Sequence, residues 1–286
     1  MPEYVELGRD DLKWALRRTP TAALKTLKEY AGNLFVGGGF LRACVAGEKA
    51  GDVDMFAPSE LAAKGAAYFL ANALREEKAD GVRVFKTKNA YTVKGAALPI
   101  QVIHRWVYAT PEELMASFDF TIAMAGFWWD PGEPGSSPLT AAQMVATTEW
   151  SRSRLHVPAR AAQWRSICDP RFYADLAAKR LRYTAPARNE DAGGSLLRVL
   201  KFYQRGYRIP LDSMAAVTAR LVQGVREYGQ SEQDFAKVLT GLLREVDPNI
   251  DPSHIAHLPA EDAVGDEETV TDVTKEAEGG AKDGEE

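Results

Sequence analysis

Cysteine is scarce in this 286-residue chain, which holds only Cys44 and Cys168, too few for a disulfide framework or a thiolate zinc cluster. Histidine is equally thin. His104, His156, His254 and His257 stand in no metal-ligand spacing, so buried thiols and isolated imidazoles are the expected reading. No apolar run approaches the roughly 20 residues that cross a bilayer, and the start MPEYVELGRDD lacks a signal peptide's apolar segment. These absences argue against a membrane or secreted protein and lead to the expectation of a cytoplasmic one. No internal repeat is visible.

What the chain does contain suits a globular enzyme, because 45% hydrophobic residues over this length can bury a real core in about two domains. Charge is unevenly spread. Residues 261–286 carry eleven Asp/Glu against Lys275 and Lys282, a tail of −9 that leaves +4 on the rest of a chain whose total is −5. The tail has no aromatic residue and little apolar content, so disorder is expected there. From Arg152 to Arg208 the balance reverses to thirteen Lys/Arg against Asp169, Asp175, Glu190 and Asp191, a candidate polyanion-binding surface.

The densest chemistry lies in LFVGGGFLRACVAGEKAGDVDMF, residues 34–56. A short strand would break at Gly37-Gly38-Gly39, where the lack of Cβ atoms lets backbone N–H groups approach a triphosphate. If 52–56 is a strand, Asp52 and Asp54 share a face while Val53 points inward. Paired carboxylates hold Mg²⁺ together with substrate phosphates, and a two-metal site can activate a hydroxyl while steadying the leaving oxygen. Arg42, one helical turn beyond the glycines, can reach a triphosphate or pair with Asp119 or another acid.

Around this stretch the pattern alternates helices with short strands. Arg9–Tyr30 reads as helical with a break at Pro20, and Phe40–Val45 as a short helix whose dipole favours anions at its start. Ser59 caps a helix to Glu77, and strands follow at 82–85, 91–93 and 99–104, with Ile100 and Val102 on one face and Gln101 and Ile103 on the other. Thr110, Pro111 and Glu113 open another helix through a capping box. Trp128-Trp129 reads as the close of a strand, with base stacking as the alternative. In SLLRVLKFYQ, Leu196, Val199, Leu200 and Tyr203 make an apolar face and Arg198, Lys201 and Arg205 a cationic stripe.

Gly38-Gly39, twelve residues and then Asp-Val-Asp resembles the signature of the DNA polymerase β nucleotidyltransferase superfamily. Within it, FDFTIAMAGF is similar to the R-D-F-T-I-N-A-M-A segment of bacterial CCA-adding enzymes and poly(A) polymerases, and GGFLR to their G-G-x-V-R. CDPRFYADLAAKRLRY and SLLRVLKFYQRGYRIP are similar to two later segments, so the matches span about residues 34–210 with gaps. The resemblance implies an α+β fold: a small mixed β-sheet head with flanking helices at 1–150, an all-helical neck at 151–250 and a disordered acidic tail at 251–286. It further implies Mg²⁺-dependent transfer of NMP from an NTP, ATP or CTP, to a hydroxyl acceptor such as an RNA 3′ end. Asp52 and Asp54 would hold the metal; Gly38, Gly39, Arg42, Asp119, Arg198 and Lys201 would bind the nucleotide.

The departures are as specific as the matches. Ala43 replaces the family's aspartate after G-G-x-V-R, Gln101 stands where many superfamily members place a third acid, and Glu190-Asp191 lacks the arginine of the E-D-x-x-R base-reading motif. Two alternatives therefore stand beside RNA extension: a nucleotidylating modifier of proteins or small molecules, of toxin or resistance type, and an inactive fold relative acting as a binding or assembly protein.

Overall fold

The computed structural model describes residues 3–132, 161–186, 192–228 and 270–279. Helices α1 (Arg9–Arg18) and α2 (Thr21–Glu29) flank Pro20, which lacks the N–H a continuous helix would need. They lead into β1 (Phe35–Gly37), α3 (Gly39–Val45) and β2 (Val53–Phe56). Helix α4 (Glu60–Glu76) starts where Ser59 Oγ accepts from the Ala62 N–H at 3.1 Å. Strands β3 (Arg83–Lys86), β4 (Ala90–Lys94) and β5 (Ile100–Ile103) follow. Helix α5 (Pro111–Ser117) has the expected cap: Thr110 Oγ1 accepts from Glu113 N at 3.2 Å, and Glu113 reaches back to the Ala109 N–H at 2.8 Å.

The fold is α+β. With β6 (Ala125–Asp130), β7 (Gln163–Cys168) and β8 (Thr271–Asp272), an eight-stranded mixed sheet among the described residues runs β7-β6-β1-β2-β5-β4-β3-β8, with β2 and β5 parallel and the other neighbours antiparallel. On one face Val53, Met55, Tyr91, Val93, Ile100 and Val102 pack with the alanine-rich side of α4. On the other, Phe56 joins Phe35, Leu114, Met115 and Ile167 beneath α5. The alternation read at 100–103 holds, with Ile100 and Val102 fully buried and Gln101 and Ile103 half-buried.

Two expectations need amendment. The first described element of the segment assigned to the helical neck is a strand, because β7 (Gln163–Cys168) pairs with β6 (Ala125–Asp130) along six residues. Gln163 and Arg165 interrupt its apolar pattern in the sequence: Arg165 sits opposite Trp128 while Ser166, Ile167 and Cys168 are buried. Helices α6 (Phe172–Ala177), α7 (Ala192–Gln204) and α8 (Leu211–Tyr228) follow, whereas the helix read within DFAKVLTGLLREV lies outside the described residues. The acidic tail is not uniformly without structure. Thr271–Asp272 (β8) extend the sheet and Thr274–Gly279 (α9) form a helical turn and a half on α4.

Candidate active site

Strand β1 ends in a bend that only glycine takes without strain, since Gly38 has φ +80°. The Gly38 N–H donates to Ala125 O at 3.0 Å, fixing the bend against β6. A Cβ at Gly37 or Gly38 would stand 3.2 Å from the Phe118 ring, whereas a Cβ at Gly39 would meet nothing within 4 Å. The bend is therefore packed from behind by Phe118 and open at Gly39, which is exposed.

The acids lie beside it. β1 and β2 pair with Phe35 opposite Phe56 and Val36 opposite Met55, so one further step of the same register sets Gly37 beside Asp54. Val53 and Met55 are fully buried; Asp52 and Asp54 alternate with them onto the face that Phe56 shares with Phe118, their rings 5.9 Å apart. Burial first, and then the charge of Asp52, pushes the Asp54 carboxyl up to about 7, so the two carboxylates feel each other directly. β5 completes the row by placing Gln101 next to Asp54, with Gln101 Nε2 donating to Asp52 Oδ2 at 3.2 Å. Among the described residues no three His, Cys, Asp or Glu groups converge in a metal-ligand cluster. Two carboxylates with an amide oxygen nearby suit one hard divalent cation that draws its remaining ligands from phosphate and water.

Of the other candidate residues, two meet. Asp119, 7% exposed, accepts from Arg198 Nη1 at 2.5 Å, so the acid after Phe118 is tied to helix α7. Arg42 takes the second of the two roles open to it. It is 4% exposed, ion-paired with Glu48 and 5.1 Å from the Phe202 ring, while Tyr207 Oη donates to Glu48 at 3.4 Å. That cluster joins α3 to the segment after α7. Lys201 is exposed, and Arg205 lies over Phe202 at 5.7 Å. The apolar face of α7 is rotated from the one expected: Val199 is buried, but Leu200 and Tyr203 are 54% and 58% exposed, because Leu197 and Phe202 turn inward instead. The paired tryptophans are packed: Trp128 meets Phe35 edge-on at 6.0 Å and Trp129 meets Trp164 at 5.0 Å. Glu190 and Asp191 lie outside the described residues.

Sequence reading missed three contributors. Phe118 carries no polar signature, Glu48 lies outside any helical spacing from Arg42, and Asp175 reads as one more surface acid. Asp175 is 1% exposed and accepts from Thr121 Oγ1 at 2.8 Å and Arg182 Nε at 3.2 Å, fastening α6 to the turn that follows Asp119.

The sequence profile of the Gabija anti-defense 2 family matches residues 9–179, more than half of the chain and all of the glycine–aspartate site. The chain belongs to the Gabija anti-defense 2 family. No curated protein matches it. Among solved structures it is similar to the Thermotoga maritima CCA-adding enzyme complexed with tRNA, at 15% identity and a TM-score of 0.45, over 86% of this chain and 52% of that one. Similarity to a CCA-adding enzyme with CTP has 15% identity, a TM-score of 0.49 and the same coverages, and to one with ATP 16%, 0.46, 86% and 51%. The chain thus spans about half the length of the solved structures it matches. As a Gabija anti-defense 2 protein it keeps a glycine bend and a carboxylate pair on adjacent strands, and none of its described helices is long and apolar enough to cross a membrane.

Proposed function

We propose that this Gabija anti-defense 2 protein binds an Mg²⁺–nucleoside triphosphate between the Gly38–Gly39 bend and the Asp52/Asp54 pair, and transfers NMP to a hydroxyl acceptor in the defence machinery its family opposes. The observation that carries this reading is the register that sets Asp54 between the end of β1 and Gln101 of β5, with Gln101 also donating to Asp52 at 3.2 Å. Bound Mg²⁺ would supply charge neutralisation for the α-phosphate and pyrophosphate. Asp52 and Asp54 would hold it, and the exposed backbone at Gly39 leaves room for the phosphates. In the transfer the acceptor oxygen forms a bond to the α-phosphorus, the bond to the β-phosphate oxygen breaks, and pyrophosphate leaves. The acceptor proton would pass to solvent, its loss favoured by the positive charge of the bound cation.

Anti-defence membership favours a modified protein acceptor over an RNA 3′ end. The test incubates the protein with α-labelled NTPs, Mg²⁺ and either purified Gabija proteins or short RNAs. Label on a defence protein, lost in Asp54→Asn, supports the proposal; label on RNA alone reinstates RNA extension; no label on either sinks nucleotidyl transfer.

A second reading, a binding protein that has lost catalysis, draws on Gln101: an amide at the third position neither carries charge nor accepts a proton, and it is already hydrogen-bonded to Asp52. Mg²⁺–NTP binding without turnover on any acceptor would select it.

A further inference from the structure

Ten residues of the acidic tail sit on the sheet more than 180 residues from the groups they touch. Asp272 and Thr271 pair with Phe85 and Lys86 of β3, Val273 N donates to Val84 O at 2.9 Å, and Val84 N donates to Thr274 Oγ1 at 3.0 Å. Among the described residues no other strand covers that edge of β3. Val273 and Ala277, four apart on one helical face, are 6% and 1% exposed against α4 and β3. The acidic side meets a matching stripe on α4. Glu276 accepts from Lys64 Nζ at 3.3 Å and Tyr68 Oη at 3.0 Å, and Glu278 lies 3.5 Å from Arg75.

We propose that the groove between α4 and the edge of β3 is a separable docking site for an acidic strand-then-helix peptide, and that residues 270–279 are its tethered ligand. The segment has the makings of a ligand: it is short, contributes a two-residue ladder and two apolar anchors, and its ion pairs are half-exposed and individually weak. Specificity comes from hydrophobic anchors at i and i+4, acids at i+3 and i+5, and a threonine that caps the β3 amide. A partner segment with that pattern would compete for the groove. The site stands apart from the nucleotidyl reading, because none of its residues is at the glycine bend or the acid pair.

The test uses the full chain carrying Val273→Asp and Ala277→Glu, which removes the anchors and leaves the groove intact, with a fluorescent peptide of residues 268–280. Saturable binding to this variant is expected, about tenfold or more tighter than to the unaltered chain, where the tethered segment competes. A peptide carrying the same two substitutions should not bind. Folded variant that ignores the peptide, or equal binding by both chains, overturns the proposal. If the variant does not fold, hydrogen exchange on the unaltered protein decides. Amides at 272–277 should open faster than those of β2 and β5; equal protection makes the segment an integral strand and overturns it. A concentration-dependent dimer that disappears in the variant supports the same groove, filled by the tail of a second copy.

Discussion

Gln101 donates its side-chain amide to Asp52 while standing next to Asp54 across the parallel β2–β5 pair, so a neutral donor occupies the position between the two acids. It steadies one carboxylate without adding charge. Gln101→Glu would put a third acid there, and like charges at close range raise the cost of ionising any of them. The variant should melt lower than the unaltered protein in EDTA at pH 8 and recover with millimolar Mg²⁺. Thermal unfolding with and without the cation checks this; an Mg²⁺-independent loss would mean that the three side chains do not share a cation.

Asp54 makes stability depend on pH in a defined direction. Burial and then the neighbouring Asp52 charge push its carboxyl up to about 7 in the folded chain, above the ordinary carboxylate value of 3.8 that the unfolded chain has. The unfolded chain therefore releases this proton first, and stability is lost as pH rises from about 4 to about 7. Asp54→Asn removes that loss. In metal-free buffer the variant should be more stable than the parent at pH 8, by on the order of 1–3 kcal/mol after allowing for partial solvation, and close to it at about pH 3.5, below the unfolded-state value. Urea unfolding at the two pH values reads the difference, and equal gains at both would contradict a titrating Asp54. The same substitution should abolish Mg²⁺–NTP binding, so stability and binding move in opposite directions.

Much of this was legible because the signals were local. Ser59 and Thr110 cap the helices they were read to cap, Pro20 separates α1 from α2, and the two-residue period puts Asp52 and Asp54 on one face. Missed features depend on partners far along the chain. Residues 270–279 offer only two small apolar anchors and become ordered against α4, a surface invisible from their own composition. Arg42 has a free-looking position one turn past the glycines, yet the chain folds back after Val45 and brings Glu48 to it. On α7, a periodic apolar face could not say which of two neighbouring stripes packs inward.

The two glycines of the bend should respond differently to a methyl group. Gly38→Ala forces a residue with φ +80° to carry a Cβ beside Phe118, and should cost roughly 1–2 kcal/mol of stability. At Gly39 the Cβ meets nothing, so Gly39→Ala should leave the melting temperature unchanged. Its methyl would nevertheless enter the space assigned to phosphates and weaken Mg²⁺–NTP binding. Calorimetry on both variants separates the effects; a stable Gly39→Ala protein that binds nucleotide normally would move the phosphates elsewhere.

Asp119, which Arg198 of α7 pairs with, directly follows Phe118, the ring packed behind the bend. Removing Arg198 leaves the carboxylate of Asp119, 7% exposed, without its cation, at a cost of about 1–3 kcal/mol. Arg198 is itself 42% exposed, which places the expected loss in the lower half of that range. Asp119→Asn together with Arg198→Met should cost less than the sum of the single changes, since no ionised group is left stranded. Phe118 is the neighbour through which the pair reaches Gly37 and Gly38, so Arg198→Ala should weaken nucleotide binding as well as stability, and Phe118→Leu should weaken binding with a smaller stability loss. If the Arg198 variant loses stability while holding Mg²⁺–NTP as tightly as the parent, the pair is a joint between α7 and the segment before the 121–123 turn, with no bearing on the pocket.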